Sequence, residues 1–193
     1  MKRIGLTGGI GCGKSTVVAE LRSMGYSCFI ADEAAADLYR DDSFVKELMQ
    51  LFGDSILDDS RQVDKKAIAT IVFNDKCKLT ELSQLVHPRV MNDFEDWCKT
   101  KTEEKLVFFE CAILYEYGLD SRMDAVVAVY LDKDERMRRL VERDKSSQEA
   151  IEARMRNQLT AEEKALRADY VILNYEGNPR TRQIKEIVKR IIG

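Results

Sequence analysis

A glycine-rich segment near the start of the chain has the residue types and spacing needed to bind nucleotide phosphates. Residues 8–15 fit G-x-x-x-x-G-K-S, the P-loop pattern, between a short apolar run and a helical pattern. Glycines let backbone N–H groups surround phosphate oxygens, and Lys14 can reach the β- and γ-phosphates. Ser15 can place its hydroxyl on Mg²⁺. A glycine-rich turn that binds nothing would not require Lys and Ser at these positions. The predicted phosphate-binding residues are Gly8, Gly9, Ile10, Gly11, Cys12, Gly13, Lys14, Ser15 and Thr16.

Two carboxylates follow predicted strands and are candidates for chemistry beside the phosphates. Asp32 follows an apolar run at 27–31, and in a parallel sheet ligand sites lie beyond the carboxyl ends of the strands. There it could accept or orient the proton of an attacking hydroxyl, or it could simply be the N-cap of the next helix. Glu110 ends the apolar run 105–110, where an acid can hold Mg²⁺ through water, although many strands end in an acid without that role.

Arginines recur along a predicted helix that opens at Asp132. Arg136, Arg139 and Arg143 fall at spacings of three and four, so they share one stripe of that helix. Such a stripe can close over phosphates and stabilise transition-state charge, but the pattern alone favours a solvated face with ordinary ion pairs. A second polar helix, predicted at 147–159, follows the turn Lys145-Ser146-Ser147. Two polar helices joined by a turn predict a hinged lid over about 133–164.

The elements that position these residues predict an α/β fold. The predicted strands lie at 2–7, 27–31, 105–110, 125–131 and 169–173. With helical connections they form a five-stranded parallel sheet in a three-layer P-loop kinase-type fold. We interpret the chain as one domain whose core takes about 1–41, 103–132 and 165–193.

Between about 42 and 102 the apolar residues recur at helical spacing. One helix should end at Gly53, another should begin after Asp64, and a third should stop at His87-Pro88 before a fourth begins. This is too much helix for one crossover between strands. We therefore expect a helical subdomain inserted into the sheet, suited to bind the phosphoryl acceptor.

Composition limits the class of protein. The 193 residues carry a net charge of −3, which argues against nucleic acid as a partner, and no apolar run approaches the ~20 residues that span a bilayer. The N-terminus does not resemble a signal peptide, and the five cysteines are scattered, which fits a reducing cytoplasm. The single histidine, His87, excludes a multi-histidine metal centre. We expect a cytoplasmic monomer or weak homo-oligomer without membrane or nucleic-acid partners.

A P-loop alone does not distinguish a kinase from a regulatory GTPase. The chain contains no D-x-x-G switch, and Asp132-Lys133-Asp134 is a poor match to the guanine-reading N-K-x-D. A small-molecule kinase with a helical acceptor site and an arginine lid explains the remaining features. A module that binds nucleotide without using it has no positive feature in the sequence.

Several short motifs follow one another in a specific order and spacing over essentially the whole chain. They are Gly5-Leu6-Thr7-Gly8-Gly9-Ile10-Gly11-Cys12-Gly13-Lys14-Ser15, Ala31-Asp32-Glu33, His87-Pro88, Ile113-Leu114-Tyr115-Glu116, Arg139-Leu140, Arg143-Asp144, Gln158, Lys164 and Ala168-Asp169-Tyr170-Val171-Ile172 leading to Asn174. Together these motifs resemble the dephospho-coenzyme A kinase family. The Thr-Gly-Gly-Ile-Gly form of the loop is the most specific of them. A nucleoside monophosphate kinase of the same architecture is the alternative.

The resemblance implies transfer of the ATP γ-phosphoryl group to the ribose 3′-hydroxyl of dephospho-coenzyme A, with Mg²⁺. It implies that Asp32 is the base or orienting carboxylate. Arg139 and Arg143 then belong to a lid that contacts the nucleotide, and His87 and Glu116 to the coenzyme A side.

The chain departs from the family pattern at three positions. Ile30, Ala112 and Arg136 stand where the family often has Asp, Pro and Gln. The first departure implies that one carboxylate carries the acceptor contact. The other two departures lie in the 112–116 loop and in the lid, and none of the three removes a group that the chemistry requires.

Overall fold

Five parallel strands form the sheet that positions the phosphate-binding loop. The computed structural model describes residues 1–144 and 147–193. The strands are β1 (Lys2–Gly8), β2 (Cys28–Ile30), β3 (Leu106–Glu110), β4 (Ala125–Tyr130) and β5 (Tyr170–Leu173). They lie in the order β2-β3-β1-β4-β5, and every pair is parallel. The predicted five-stranded parallel sheet is confirmed.

The helices that the described residues form connect the strands or extend from them. They are α1 (Lys14–Ser23), α2 (Ala31–Leu38), α3 (Asp42–Phe52), α4 (Lys65–Asn74), α5 (Lys76–Lys99), α6 (Lys133–Asp144), α7 (Gln148–Met155), α8 (Ala161–Arg167) and α9 (Arg180–Ile192), with 3-10 turns at Asp54–Ile56 and Leu119–Arg122. No helix within this described part of the chain is long and apolar enough to cross a membrane.

The first compact unit takes residues 1–30 and 101–193 and contains the whole sheet. Its central strands are apolar on both faces, as expected for parallel strands covered by helices. Side chains from β1, β3 and β4 pack with α1 and α9 in one core. The Arg180 guanidinium also lies 2.6 Å from the Glu20 carboxylate, which ties α9 to α1.

The second compact unit takes residues 31–100 and consists of helices. Its core is Phe44, Leu48, Ile56 and Ile68. The predicted helix end at Gly53 and the predicted N-cap at Asp64 are confirmed, since the Asp64 carboxylate accepts hydrogen bonds from the N–H groups of Lys66 and Ala67.

The predicted break at His87-Pro88 is wrong, because α5 continues through Pro88. Proline inside a helix removes one backbone hydrogen bond and typically costs about 3 kcal/mol. Val90, Met91 and Phe94 are buried in the turns that follow, and Leu85 and Val86 pack on the core before it. This burial on both sides favours one continuous helix over two shorter ones.

The segment predicted as a lid contains three helices among its described residues instead of two. α7 ends at Met155, and α8 was not predicted. The missed signal is Thr160 followed three residues later by Glu163, which form a capping box at the start of α8. Ser147 caps α7, whereas Lys145 and Ser146 of the predicted turn lie outside the described residues.

Candidate active site

The loop between β1 and α1 has the geometry of an anion site. Gly11 and Gly13 adopt φ values of 83° and 87°, the left-handed region that favours glycine, and the N–H of Cys12 donates to the carbonyl of Gly9 at 3.2 Å. Gly13 immediately precedes α1, so the first N–H groups of that helix are directed at the loop. Together with the helix dipole, these groups favour a bound phosphate.

Asn174 holds this loop from the end of β5. Its side chain is buried; Nδ2 donates to the carbonyl of Cys12 at 2.8 Å, and Oδ1 accepts from Arg180 at 2.7 Å. A Cβ atom at Gly13 would lie 2.2 Å from that nitrogen, so only glycine permits the contact. Asn174 is a site residue that the sequence prediction did not include, although its place directly after a strand was a usable signal.

Lys14 is directed toward the carboxyl edge of the sheet. Its Nζ donates to the carbonyl of Gly8 at 3.2 Å and lies 3.8 Å from Oε1 of Glu110 at the end of β3. The structure therefore brings the predicted phosphate-binding lysine and the candidate carboxylate together. Ser15 and Thr16 occupy the first turn of α1 and are exposed.

The three arginines of α6 that were predicted to form one stripe, Arg136, Arg139 and Arg143, do not share one environment. The Nε of Arg139 lies 2.9 Å from the Glu135 carboxylate, and its terminal nitrogen donates to the carbonyl of Asn174 at 3.2 Å. Hydrogen bonds from Arg138 and Arg139 lower the pKa of Glu135 to about 2, so this carboxylate stays ionised. Arg143 is exposed in the last turn of the helix.

Arg136 corrects the prediction of a single polar stripe, because its side chain is buried. The residue is only 5% exposed, since its helix turn packs against the phosphate-binding loop. A solvated helix face is therefore wrong for Arg136.

A buried lysine joins the loop after β3 to the segment that leads into α8. Lys164 is 0% exposed, and its Nζ donates to the carbonyl of Ala112 and lies 2.8 Å from the Glu116 carboxylate. The same carboxylate oxygen accepts the backbone N–H of Leu159 at 2.8 Å. Burial lowers the pKa of Lys164 even though Glu116 acts in the opposite direction. Glu116, predicted to bind substrate, thus has partners within the protein, and its substrate-binding role stays a prediction.

Two predicted site residues belong to the helical unit. Asp32 is the second residue of α2, so it does not occupy the N-cap position and that alternative is wrong. Its carboxylate is exposed and accepts no hydrogen bond from a residue in the described part of the chain. His87 lies within α5, where burial lowers its pKa and favours the neutral ring. The predicted substrate-binding roles of both residues stay predictions.

Known proteins resemble the chain over nearly its full length. A family model described as dephospho-CoA kinase matches residues 2–179. A curated dephospho-CoA kinase from Fusobacterium nucleatum is 38% identical over 171 residues, which are 89% of this chain and 88% of that protein.

Two solved structures extend this similarity to the fold. The crystal structure of the Thermus thermophilus protein TT1252 gives a TM-score of 0.89 at 34% identity and covers 100% of this chain and 98% of that one. A dephospho-CoA kinase from Campylobacter jejuni gives a TM-score of 0.70 at 27% identity, with 98% and 96% covered.

Proposed function

The chain belongs to the dephospho-CoA kinase family, and on that premise we propose which of its residues perform each part of the reaction. The enzyme uses ATP to phosphorylate the ribose 3′-hydroxyl of dephospho-CoA and releases CoA and ADP, the final step of CoA synthesis. The observation that carries the residue assignment is the loop between β1 and α1, whose backbone can hold a triphosphate beside Lys14.

The nucleotide is held by the loop and by groups packed around it. Backbone N–H groups of residues 8–16 surround the phosphates, and Lys14 neutralises charge at the β–γ bridge. Arg139 acts with them, and its contact with the backbone of Asn174 supports this assignment because Asn174 also binds the loop. Arg143 contacts the nucleotide from the last turn of α6 when the lid closes.

Asp32 accepts or orients the proton of the attacking ribose hydroxyl in this proposal. Its exposed carboxylate, without a hydrogen bond to a described residue, supports the assignment because a ligand can reach it. His87 and Glu116 are assigned to the acceptor side, where they position dephospho-CoA. The work of the site is alignment and charge neutralisation rather than covalent catalysis.

The donor set fits Mg²⁺. The Ser15 hydroxyl is exposed at the start of α1, and the Glu110 carboxylate lies beside Lys14, so both could hold the ion, the second through water. Within the described residues no group of three or more metal-binding side chains occurs, which suits an ion held by one or two side chains and the phosphates. When bound, Mg²⁺ would supply positive charge to the β- and γ-phosphate oxygens.

We place the enzyme in the cytoplasm, as a monomer or weak homo-oligomer that acts on small molecules and has no nucleic-acid partner. The net charge of −3 and the scattered cysteines support this environment.

An acceptor panel tests the function. The purified protein is incubated with Mg-ATP and, separately, with dephospho-CoA, with each nucleoside monophosphate and with no acceptor. ADP release and the phosphorylated product are measured by mass spectrometry. We expect CoA from dephospho-CoA and little ADP without an acceptor, because water must be excluded for transfer. Faster phosphorylation of a nucleoside monophosphate would favour the alternative kinase class.

A further inference from the structure

Arg136 places a buried positive charge against the phosphate-binding loop. Its Nε donates to the carbonyl of Leu131 at 2.9 Å, and one terminal nitrogen donates to the carbonyl of Ile10 at 3.5 Å. A Cβ atom added to Gly9 would lie 2.8 Å from that same terminal nitrogen. The guanidinium therefore packs directly on the loop backbone, in space that the glycine leaves open.

This charge has no acidic partner in the described part of the chain. On the same helix Arg138 and Arg139 both pair with Glu135, whereas Arg136 forms no ion pair with a described residue. Its two hydrogen bonds go to neutral carbonyls and leave other N–H groups unused. A buried charge is costly unless it is paired, so the arrangement favours an anion at this position.

A cavity opens beside the guanidinium. Its volume is about 480 Å³, and its wall includes Gly9 and Ile10 of the loop, Arg136 and Gln158. Among the other charged groups on the wall, Lys133 lies 3.4 Å from Glu152, and Glu162 accepts from the hydroxyl of Tyr130, whereas Arg156 is exposed to solvent. Arg136 thus presents an unneutralised charge where the loop meets open space.

We propose that Arg136 contacts the terminal phosphoryl group of the bound nucleotide and stabilises the charge on it during transfer. The inference rests on the proposed function. Lys14 and the first amides of α1 hold the phosphates from the helix end of the loop, whereas Arg136 contacts Gly9 and Ile10 at the strand end. A fork-shaped guanidinium at that end suits the equatorial oxygens of the γ-phosphoryl group.

The transfer itself needs no further reactant. The bond between the γ-phosphorus and the bridging oxygen breaks, and its electron pair remains on ADP. The acceptor oxygen bonds to the γ-phosphorus, and its proton passes to the general base, which is Asp32 in the proposed function. Arg136 changes no bond and acts through its hydrogen bonds and charge.

Three variants test the inference: Arg136→Gln, Arg136→Lys and the control Arg138→Gln, which removes an exposed arginine from the same helix. For each variant we would measure kcat, the KM for ATP, the melting temperature and the dissociation constants of ADP and a non-hydrolysable ATP analogue. We expect Arg136→Gln to lower kcat by about 10- to 100-fold. It should also weaken binding of the ATP analogue several-fold while ADP binding stays unchanged. The control Arg138→Gln should match the wild type in every measurement.

Other outcomes overturn the inference. If Arg136→Gln weakens the binding of ADP and of the analogue equally and lowers the melting temperature, Arg136 only stabilises the loop. Unchanged kinetics would show that Arg136 has no role in transfer. If Arg136→Gln fails to fold, Arg136→Lys is the deciding variant, because it keeps the positive charge but loses the planar guanidinium. If Arg136→Lys then prefers the ATP analogue over ADP as strongly as the wild type does, the proposed contact between Arg136 and the terminal phosphoryl group is refuted. If the wild type fails to phosphorylate dephospho-CoA, the proposed function is overturned instead. The dissociation constants of ADP and the ATP analogue still test Arg136 in that case, because they do not depend on the acceptor.

Discussion

Lys14 is held at the phosphate-binding loop by oxygen atoms of the protein itself. The carbonyl of Gly8 and the carboxylate of Glu110 both lie within reach of its ammonium group. The lysine is therefore oriented before a nucleotide arrives, and a preorganised charge contributes more to a transition state than a mobile one. This orientation makes Lys14 the residue whose removal should affect turnover most directly.

We predict that Lys14→Ala lowers kcat for CoA formation by about 100-fold or more, because a preorganised charge at the transferred phosphoryl group is lost. The measurement is steady-state kinetics with Mg-ATP and dephospho-CoA, with circular dichroism to verify folding. Lys99→Ala is the control, since that exposed lysine pairs with Asp96 on the surface. Near-normal turnover of Lys14→Ala would remove the lysine from the mechanism.

Asp32 offers a separate test of how the acceptor is activated. We predict that Asp32→Asn folds and binds ATP normally but loses most of the transfer rate, because an amide cannot accept the acceptor proton. The matched control is Glu33→Gln, which neutralises the next residue of the same exposed helix turn. Nucleotide titration, melting temperature and rate of CoA formation are compared. A variant that only loses stability, with an unaffected rate per folded molecule, would contradict the catalytic assignment.

At the residue scale, prediction succeeded where the chain itself carries a local pattern. The loop of residues 8–16 is defined by consecutive residues, so spacing alone placed Lys14 beside its helix. Asn174 reaches the carbonyl of Cys12 across 162 positions of the chain, so its place after a strand could indicate the edge of the sheet but not this particular contact. The burial of Arg136 was missed for the same reason. Helix periodicity predicts which residues share one face of a helix, but it does not predict which other segment packs on that face.

At the element scale, the strands were predictable and the ends of the helices less so. Apolar runs such as Leu106–Glu110 are long enough to identify a buried parallel strand. Helix α5 shows the limit, because Pro88 is a strong local signal that packing of Val90 and Phe94 overrides. Helix α8 was missed because its capping box stands between two polar segments with little apolar periodicity.

The contact between α8 and the loop after β3 depends on one buried ion pair. Lys164→Met would leave the partly buried Glu116 carboxylate without its cation, and we predict a loss of about 3–5 kcal/mol in the free energy of unfolding. The double variant Lys164→Met/Glu116→Gln should lose less, because its amide oxygen can still accept from Leu159 without burying a charge. Urea denaturation followed by circular dichroism measures both.

One control variant and one contrary outcome complete that comparison. Lys99→Met removes an exposed lysine from a surface pair and should change the urea midpoint little. Additive losses for Lys164→Met and Glu116→Gln would mean that the two residues do not act as a pair.

At the scale of the whole molecule, the exposure of each cysteine shows which positions in the two units are buried. Cys77 is exposed at the start of α5, whereas Cys12, Cys28, Cys98 and Cys111 are buried. Burial also raises the pKa of Cys12, and it raises that of Cys28 from 9.0 to about 11. Since the thiolate is the reactive form, a pKa of about 11 leaves about 0.1% of a thiol ionised at pH 8.

We therefore predict that a thiol reagent such as DTNB labels about one cysteine rapidly in the native protein at pH 8, because only Cys77 is open to it. The buried cysteines should react only after unfolding in urea, and mass spectrometry of peptides identifies the labelled position. Cys77→Ser is the control, and it should remove the rapid phase while leaving the urea-dependent labelling intact. Rapid labelling of Cys12 in the native protein would contradict the packing of the phosphate-binding loop, since this thiol lies beneath the backbone that is proposed to hold ATP.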